Sequence, residues 1–156
     1  MIEIHEQFDV PSAPEEVWAV LSDPYAVVGC VPGASIVGQA EDGTLDTSVV
    51  VKFGPTRVTF RAQAKLELDE ATRQGNVSAQ GKDSIGGTRM RSTARFGVTP
   101  GPGASGSAVS IDGTVEVSGR MASLIEGGAS LVVKRMSGEF AERLAARCAA
   151  GTPAVE

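Results

Sequence analysis

The order of signals along this chain predicts an α+β domain: a seven-stranded antiparallel sheet curved around one long carboxy-terminal helix, with two short helices after the first strand. Three observations carry the prediction. Residues 10–33, VPSAPEEVWAVLSDPYAVVGCVPG, contain a strand end, two helix starts and a turn in quick succession. From Ala34 to Ser118 the dominant period is two, broken by turn residues at intervals that suit a meander. Beyond Ser123 the apolar residues change to three- and four-residue spacing. The strand–helix alternation that a parallel sheet requires is missing.

In the first strand Ile4, Phe8 and Val10 share one face, while Glu3, His5, Gln7 and Asp9 share the other. The strand is expected to stop at Pro11. Ser12 is a candidate cap for the first helix, Pro14 fits its first turn, and Glu15 and Glu16 suit the positive end of the helix dipole. Val17, Trp18 and Leu21 fall on one side of that helix. Asp23 caps a second helix whose first position is Pro24, and Pro32-Gly33 ends it and turns the chain.

The meander is punctuated by Asp42-Gly43, Gly54-Pro55, the polar run Glu70 to Gln74, Lys82-Asp83, and a looser loop from Pro100 to Gly106. Val58, Phe60, Ala62, Ala64, Leu66 and Leu68 alternate with Arg57, Thr59, Arg61, Gln63, Lys65 and Glu67, so one face is buried and the other wet. Met90, Ser92, Ala94 and Phe96 point inward by the same test, with Arg89, Arg91 and Arg95 outward. Alternation alone accounts for those arginines as a solvated convex face. A basic stripe that meets an acidic partner is the other reading.

The last helix is expected from about Ser123 to Cys148. Ser123-Leu124-Ile125-Glu126 has the pattern of a capping box. Ile125, Ala129, Val132, Met136, Phe140 and Leu144 then form one apolar stripe facing the concave sheet. Gly127-Gly128 interrupts this helix at a cost of roughly 1 kcal/mol per glycine, which close packing or useful mobility must offset.

Volume is the informative property of the inward positions. Ala62, Ala64, Ala79, Gly81, Ser92, Ala94 and Gly113 are small where a filled core would use leucine, isoleucine and phenylalanine. Either the helix packs very close to them or they leave a cavity. Because an empty cavity costs about 24 cal/mol per Å3, one of ligand size is expected to be occupied. Phe60, Met90, Ala94, Phe96, Val132, Met136 and Phe140 are the expected lining, with the mouth at Cys30, Pro32, Gly33, Gly127 and Gly128. Glu6 falls on the Ile4–Phe8 face; a carboxylate there has its neutral form favoured and can polarise a ligand carbonyl or hydroxyl, unless it escapes to water.

At 156 residues and 42% hydrophobic the chain suits one domain, expected over residues 1–150 with a flexible tail at 151–156. A formal net charge of −5 argues against nucleic acid and against resting affinity for anionic membrane. Cys30 and Cys148 share no motif with each other or with the single histidine, so neither zinc nor a redox pair is expected, and a reducing cytoplasmic location fits. The start is polar within a few residues, and no run approaches the roughly 20 apolar residues of a membrane span.

A search for catalytic groups finds no Gly-x-Ser-x-Gly, no HExxH and no phosphate loop. His5 is expected to face solvent, and Cys30 to be a small buried hydrophobe rather than a nucleophile. No catalytic residue and no cofactor are expected. The pattern Phe8, Val10-Pro11, Ala13-Pro14, Val17-Trp18, Leu21, Asp23-Pro24 and Cys30-Val31-Pro32-Gly33 resembles the carbon monoxide dehydrogenase CoxG family, a branch of the START-like (SRPBCC) superfamily with its helix-grip fold. The likeness covers about residues 2 to 150; Glu6 stands where the family more often has a small residue, and the carboxy-terminal extension with a membrane anchor found in many members is not seen. The resemblance implies a non-catalytic accessory protein of a molybdenum-hydroxylase complex that binds an apolar molecule, a lipid or an isoprenoid quinone, with at most transient contact at the inner face of the membrane. Two alternatives stand beside it: a cyclase, dehydratase or hydrolase using the same cavity, for which Glu6, Ser92 and Thr88 are the available polar groups, and a protein-interaction module with a filled core.

Overall fold

The computed structural model describes residues 1–83, 87–101 and 106–151. Seven strands and three helices follow in the predicted order: β1 (Ile2–Val10), α1 (Pro14–Leu21), α2 (Pro24–Cys30), β2 (Ala34–Gln39), β3 (Leu45–Phe53), β4 (Thr56–Asp69), β5 (Gln74–Asp83), β6 (Thr88–Pro100), β7 (Ser107–Gly119) and α3 (Ala122–Gly151). All neighbouring strands pair antiparallel in the order β1-β7-β6-β5-β4-β3-β2. The first and second strands are therefore the two opposite edges. The chain must cross the open side of the sheet to get from one to the other, and α1 and α2 make that crossing.

The turns use the expected residues. Gly43 and Gly54 have positive φ, as tight hairpins require, and Asp42 Oδ1 accepts from the Thr44 amide at 3.0 Å. Asp23 caps α2, its Oδ1 accepting from the amides of Tyr25 at 3.0 Å and Ala26 at 3.4 Å.

Four local expectations are corrected. The cap of α1 is Ala13 rather than Ser12: the Ala13 carbonyl accepts from the Glu16 and Val17 amides, and Glu16 Oε1 accepts from the Ala13 amide at 3.1 Å. Ser12 is instead buried, its carbonyl accepting from Ser107 Oγ at 2.6 Å. Helix α3 begins at Ala122, so Ser123 stands inside its first turn and Glu126 turns away to accept from the amino terminus of Met1 at 3.0 Å. Thr88 completes this junction; fully buried, its Oγ1 accepts from the Met121 amide at 3.1 Å, so it braces the start of the helix rather than facing a ligand. Lys82 and Asp83 are the last residues of β5, not a turn, and α3 continues past Cys148 to Gly151. The turn proper at 84–86, residues 102–105 of the Pro100–Gly106 loop and residues 152–156 of the expected tail lie outside the described residues.

Two apolar clusters hold the sheet to the helices. One gathers Val10, Val17, Trp18, Leu21, Cys30, Val98, Val109, Leu144 and Cys148 under α1, α2 and the end of α3. The other gathers Phe53, Val58, Phe60, Ile125 and Val132 under the start of α3. The stripe predicted for α3 supplies both: Ile125 and Val132 to one, Leu144 to the other.

Candidate functional site

The interval between the two clusters is the distinctive feature of the concave face. At the two ends inward side chains are buried, whereas Val77, Ala79, Ser92, Ala94 and Val115 in mid-sheet stay half-buried although they point inward. The backbone of α3 comes closest to β1, β3 and β7 and spans the middle strands. A strongly curved sheet bridged by a straight helix leaves space of this kind wherever the inward residues are small.

Some small residues have a different cause. A Cβ on Gly75 would collide with the ring of Phe96, its cross-strand partner. One on Gly113 would approach the Thr93 carbonyl at 2.7 Å, and one on Gly81 would strike the Arg61 carbonyl. These three glycines serve close packing within the sheet. The alanines and Ser92 leave the space.

The expected lining residues divide between the clusters. Phe60 and Val132 are buried in the second cluster, with Met90 and Met136 packed at its margin. Phe96 lies at the edge of the first, its ring centroid 6.2 Å from that of Trp18. Phe140 meets Phe8 edge to face at 6.0 Å. Ala94 sits between them. Glu6 is half-buried between Ile4 and Phe8, opposite Ile111 in register, and among the described residues nothing forms a hydrogen bond or ion pair with its carboxylate.

At the edge of the sheet Pro32, Gly33, Val51, Met136, Arg135 and Arg143 line a recess of ≈ 400 Å3 between the α2–β2 turn, the exposed end of β3 and α3. Gly33 is required there by both its φ of +80° and its position, since a Cβ would strike the Val50 carbonyl. Arg135 Nη2 donates to the Lys52 carbonyl at 3.0 Å and ties α3 to β3. Gly128 lies against Phe53, an added Cβ being 3.3 Å from the ring, while Gly127 has nothing within 4 Å. Cys30 is buried behind the turn, its Sγ donating to the Ala26 carbonyl at 3.5 Å.

Two features escaped the sequence. Cys30 and Cys148, 118 positions apart in sequence by subtraction, share one core cluster as thiols, and burial pushes the pKa of each upward, that of Cys148 further by the nearby Cys30. Raised thiol pKa values make poor nucleophiles. The second is Trp18 Nε1, a buried donor with no hydrogen-bond partner among the described residues. An unsatisfied buried donor costs about 1–3 kcal/mol, and nothing in the periodicity of α1 announces it. On the outer face His5 is exposed as expected, its Nδ1 2.9 Å from Asp112 and its Nε2 3.3 Å from Glu3.

No helix of the described residues is long and apolar enough to cross a membrane. The family model for the carbon monoxide dehydrogenase protein CoxG matches residues 7–149. No curated protein matches the sequence. Solved structures share the fold at low identity. A conserved protein from Geobacillus kaustophilus superposes with a TM-score of 0.81 at 17% identity, covering 96% of each chain. A START superfamily protein from Mycobacterium smegmatis gives 0.59 at 16%, covering 96% of this chain and 99% of that one. The Zhui aromatase/cyclase from Streptomyces sp. R1128 gives 0.63 at 15%, covering 98% and 96%.

Proposed function

The chain belongs to the carbon monoxide dehydrogenase CoxG family, and from that premise we propose that it is a non-catalytic carrier of an apolar small molecule, a lipid or isoprenoid quinone, held between the sheet and α3. The observation that supports the reading best is the half-buried middle of the concave face, flanked by two sealed apolar clusters and adjoined by the recess at Pro32–Gly33. Phe60, Met90, Val132 and Met136 make one wall and Phe96 and Phe140 the other, with Ala94 as the floor. The ring carbonyl of a quinone that reached the Trp18–Phe96 end would supply the acceptor that Trp18 Nε1 lacks.

Burying about 400 Å2 of an isoprenoid tail contributes on the order of 10 kcal/mol at about 25 cal/mol per Å2. Ordering costs of several kcal/mol reduce this to roughly micromolar affinity, which suits a carrier that must release its load. The physiological setting of this reading is a cytoplasmic protein, peripheral at the inner face of the membrane, accessory to a molybdenum hydroxylase resembling carbon monoxide dehydrogenase. Native mass spectrometry of freshly purified protein tests the carrier role. A copurified lipid-like mass is expected; an empty protein that also fails to bind a quinone analogue would overturn it.

One observation favours a second reading. Glu6 puts a carboxylate without a partner among the described residues on the concave face, and a cyclase of the kind named for the Streptomyces structure needs a group able to move protons. Under that reading Glu6→Gln abolishes turnover of a polyketide-like substrate; under the carrier reading there is no turnover to lose.

A further inference from the structure

The outer face of the sheet carries an arrangement that the fold does not need. Strand register places Arg61 of β4, Lys82 of β5 and Arg89 of β6 directly opposite one another, a row of three cations across three adjacent strands. Like charges in directly opposed positions destabilise a sheet. The chain has acids in excess, 19 against 14 basic residues, yet it places only Asp46 on this row, 3.2 Å from Arg61. Among the described residues no carboxylate forms an ion pair with Lys82, Arg89 or Arg91. The next row holds Arg91 opposite Glu116, which offsets part of its charge. The twist of the sheet turns this patch into a groove of ≈ 670 Å3, lined by Arg61, Gln63, Gln80, Lys82, Arg89 and Arg91 with Glu116 at one side.

We propose that the groove over the Arg61–Lys82–Arg89 row docks an acidic segment of a protein partner. Its outward side chains are polar or cationic, so the patch offers nothing apolar to insert among lipid chains. Three of the four cations are arginines, whose planar forks pair carboxylates in bidentate fashion and which protein interfaces favour over lysine. A net charge of −5 leaves no general positive field for nucleic acid, whereas one basic patch on an acidic protein steers and orients a complementary acidic surface. The groove lies on the face of the sheet away from the recess beside α3, so docking and ligand binding succeed or fail separately.

The test uses the full chain and a fluorescein-labelled glutamate-rich peptide in an anisotropy titration. Binding that weakens as salt is raised is expected, and Lys82→Glu/Arg89→Glu should weaken it about tenfold or more. Lys134→Glu/Arg147→Glu, the same charge change made on α3, should stay within about twofold of the parent. Equal loss in the two double variants would reduce the effect to net charge and overturn the proposal. So would capture by phosphatidylglycerol vesicles without capture by the peptide, which would transfer the patch to lipid headgroups. Lys82→Ser/Arg89→Ser separates docking from folding: its Tm should equal or exceed the parent's while peptide binding falls, and a lower Tm would assign the row to the fold instead.

Discussion

The guanidinium of Arg135 donates to the Lys52 carbonyl at 3.0 Å, joining α3 to the part of β3 that runs on beyond its pairing with β2. Both residues border the recess at Pro32–Gly33. The bond is exposed, so its contribution to stability is small. Its position makes it a clasp between the helix and the sheet edge at the mouth of the proposed binding space. Arg135→Ala should cost about 1 kcal/mol or less in urea denaturation, yet speed release of a bound quinone analogue in stopped-flow measurements. A release rate equal to the parent's would place the exit elsewhere.

Gly33 and Gly127 make an opposed pair. At Gly33 the φ of +80° and the Val50 carbonyl both exclude a side chain, and Gly33→Ala should destabilise the protein by about 2–4 kcal/mol. At Gly127, inside a helix and with nothing within 4 Å of a built Cβ, alanine should stabilise by roughly 0.5–1 kcal/mol. Thermal unfolding of the two variants in parallel decides whether these assignments hold; a destabilised Gly127→Ala would mean that the first turns of α3 need their freedom.

The sequence disclosed the architecture because each element carried a signal local to itself. Asp23-Pro24 capped a helix, Asp42-Gly43 made a hairpin, and the alternation through Val58, Phe60 and Ala62 fixed which face of β4 is buried. It misled where a local pattern competed with a tertiary partner. Ser12 looked like a cap, but its backbone is held by Ser107, 95 residues away, and the cap moved to Ala13. Glu126 completed a capping box on paper and bonds the amino terminus instead. The meeting of Cys30 with Cys148, the orphaned indole nitrogen of Trp18 and the cation row across β4, β5 and β6 all depend on strand register and helix crossing. Periodicity along one segment cannot reveal them.

His5 supplies a pH prediction. Hydrogen bonds to Asp112 first and to Glu3 second raise its pKa above the ordinary 6.5. A raised folded-state pKa means that the imidazolium favours the native state below the unfolded value, and that this contribution is lost as pH rises through the folded one. The ring is fully exposed, so stability should change little across that window. Asp112→Asn should return the His5 pKa toward 6.5, read from the imidazole proton shifts by NMR. An unmoved titration would assign the shift to Glu3. His5→Ala should leave ligand binding within about 1 kcal/mol of the parent, since the ring lies on the outer face.

Ala94 provides the most direct test of the carrier reading. It is half-buried on the concave face of β6 between the two apolar clusters, paired with Val77 on one side and Gly113 on the other. Replacing a residue inside a close-packed core by tryptophan costs about 1–3 kcal/mol or more through overpacking. Placed in open space, the indole fills volume instead. Ala94→Trp should therefore fold with the parent's circular dichroism, lose at most about 1 kcal/mol of stability, and abolish binding of a quinone analogue. Loss of the fold would show that helix and sheet already meet over Ala94 and that no binding space exists there. A folded variant that binds with unchanged affinity would put the ligand elsewhere, because an indole at that position and an isoprenoid tail between Phe60 and Phe96 cannot occupy the same volume.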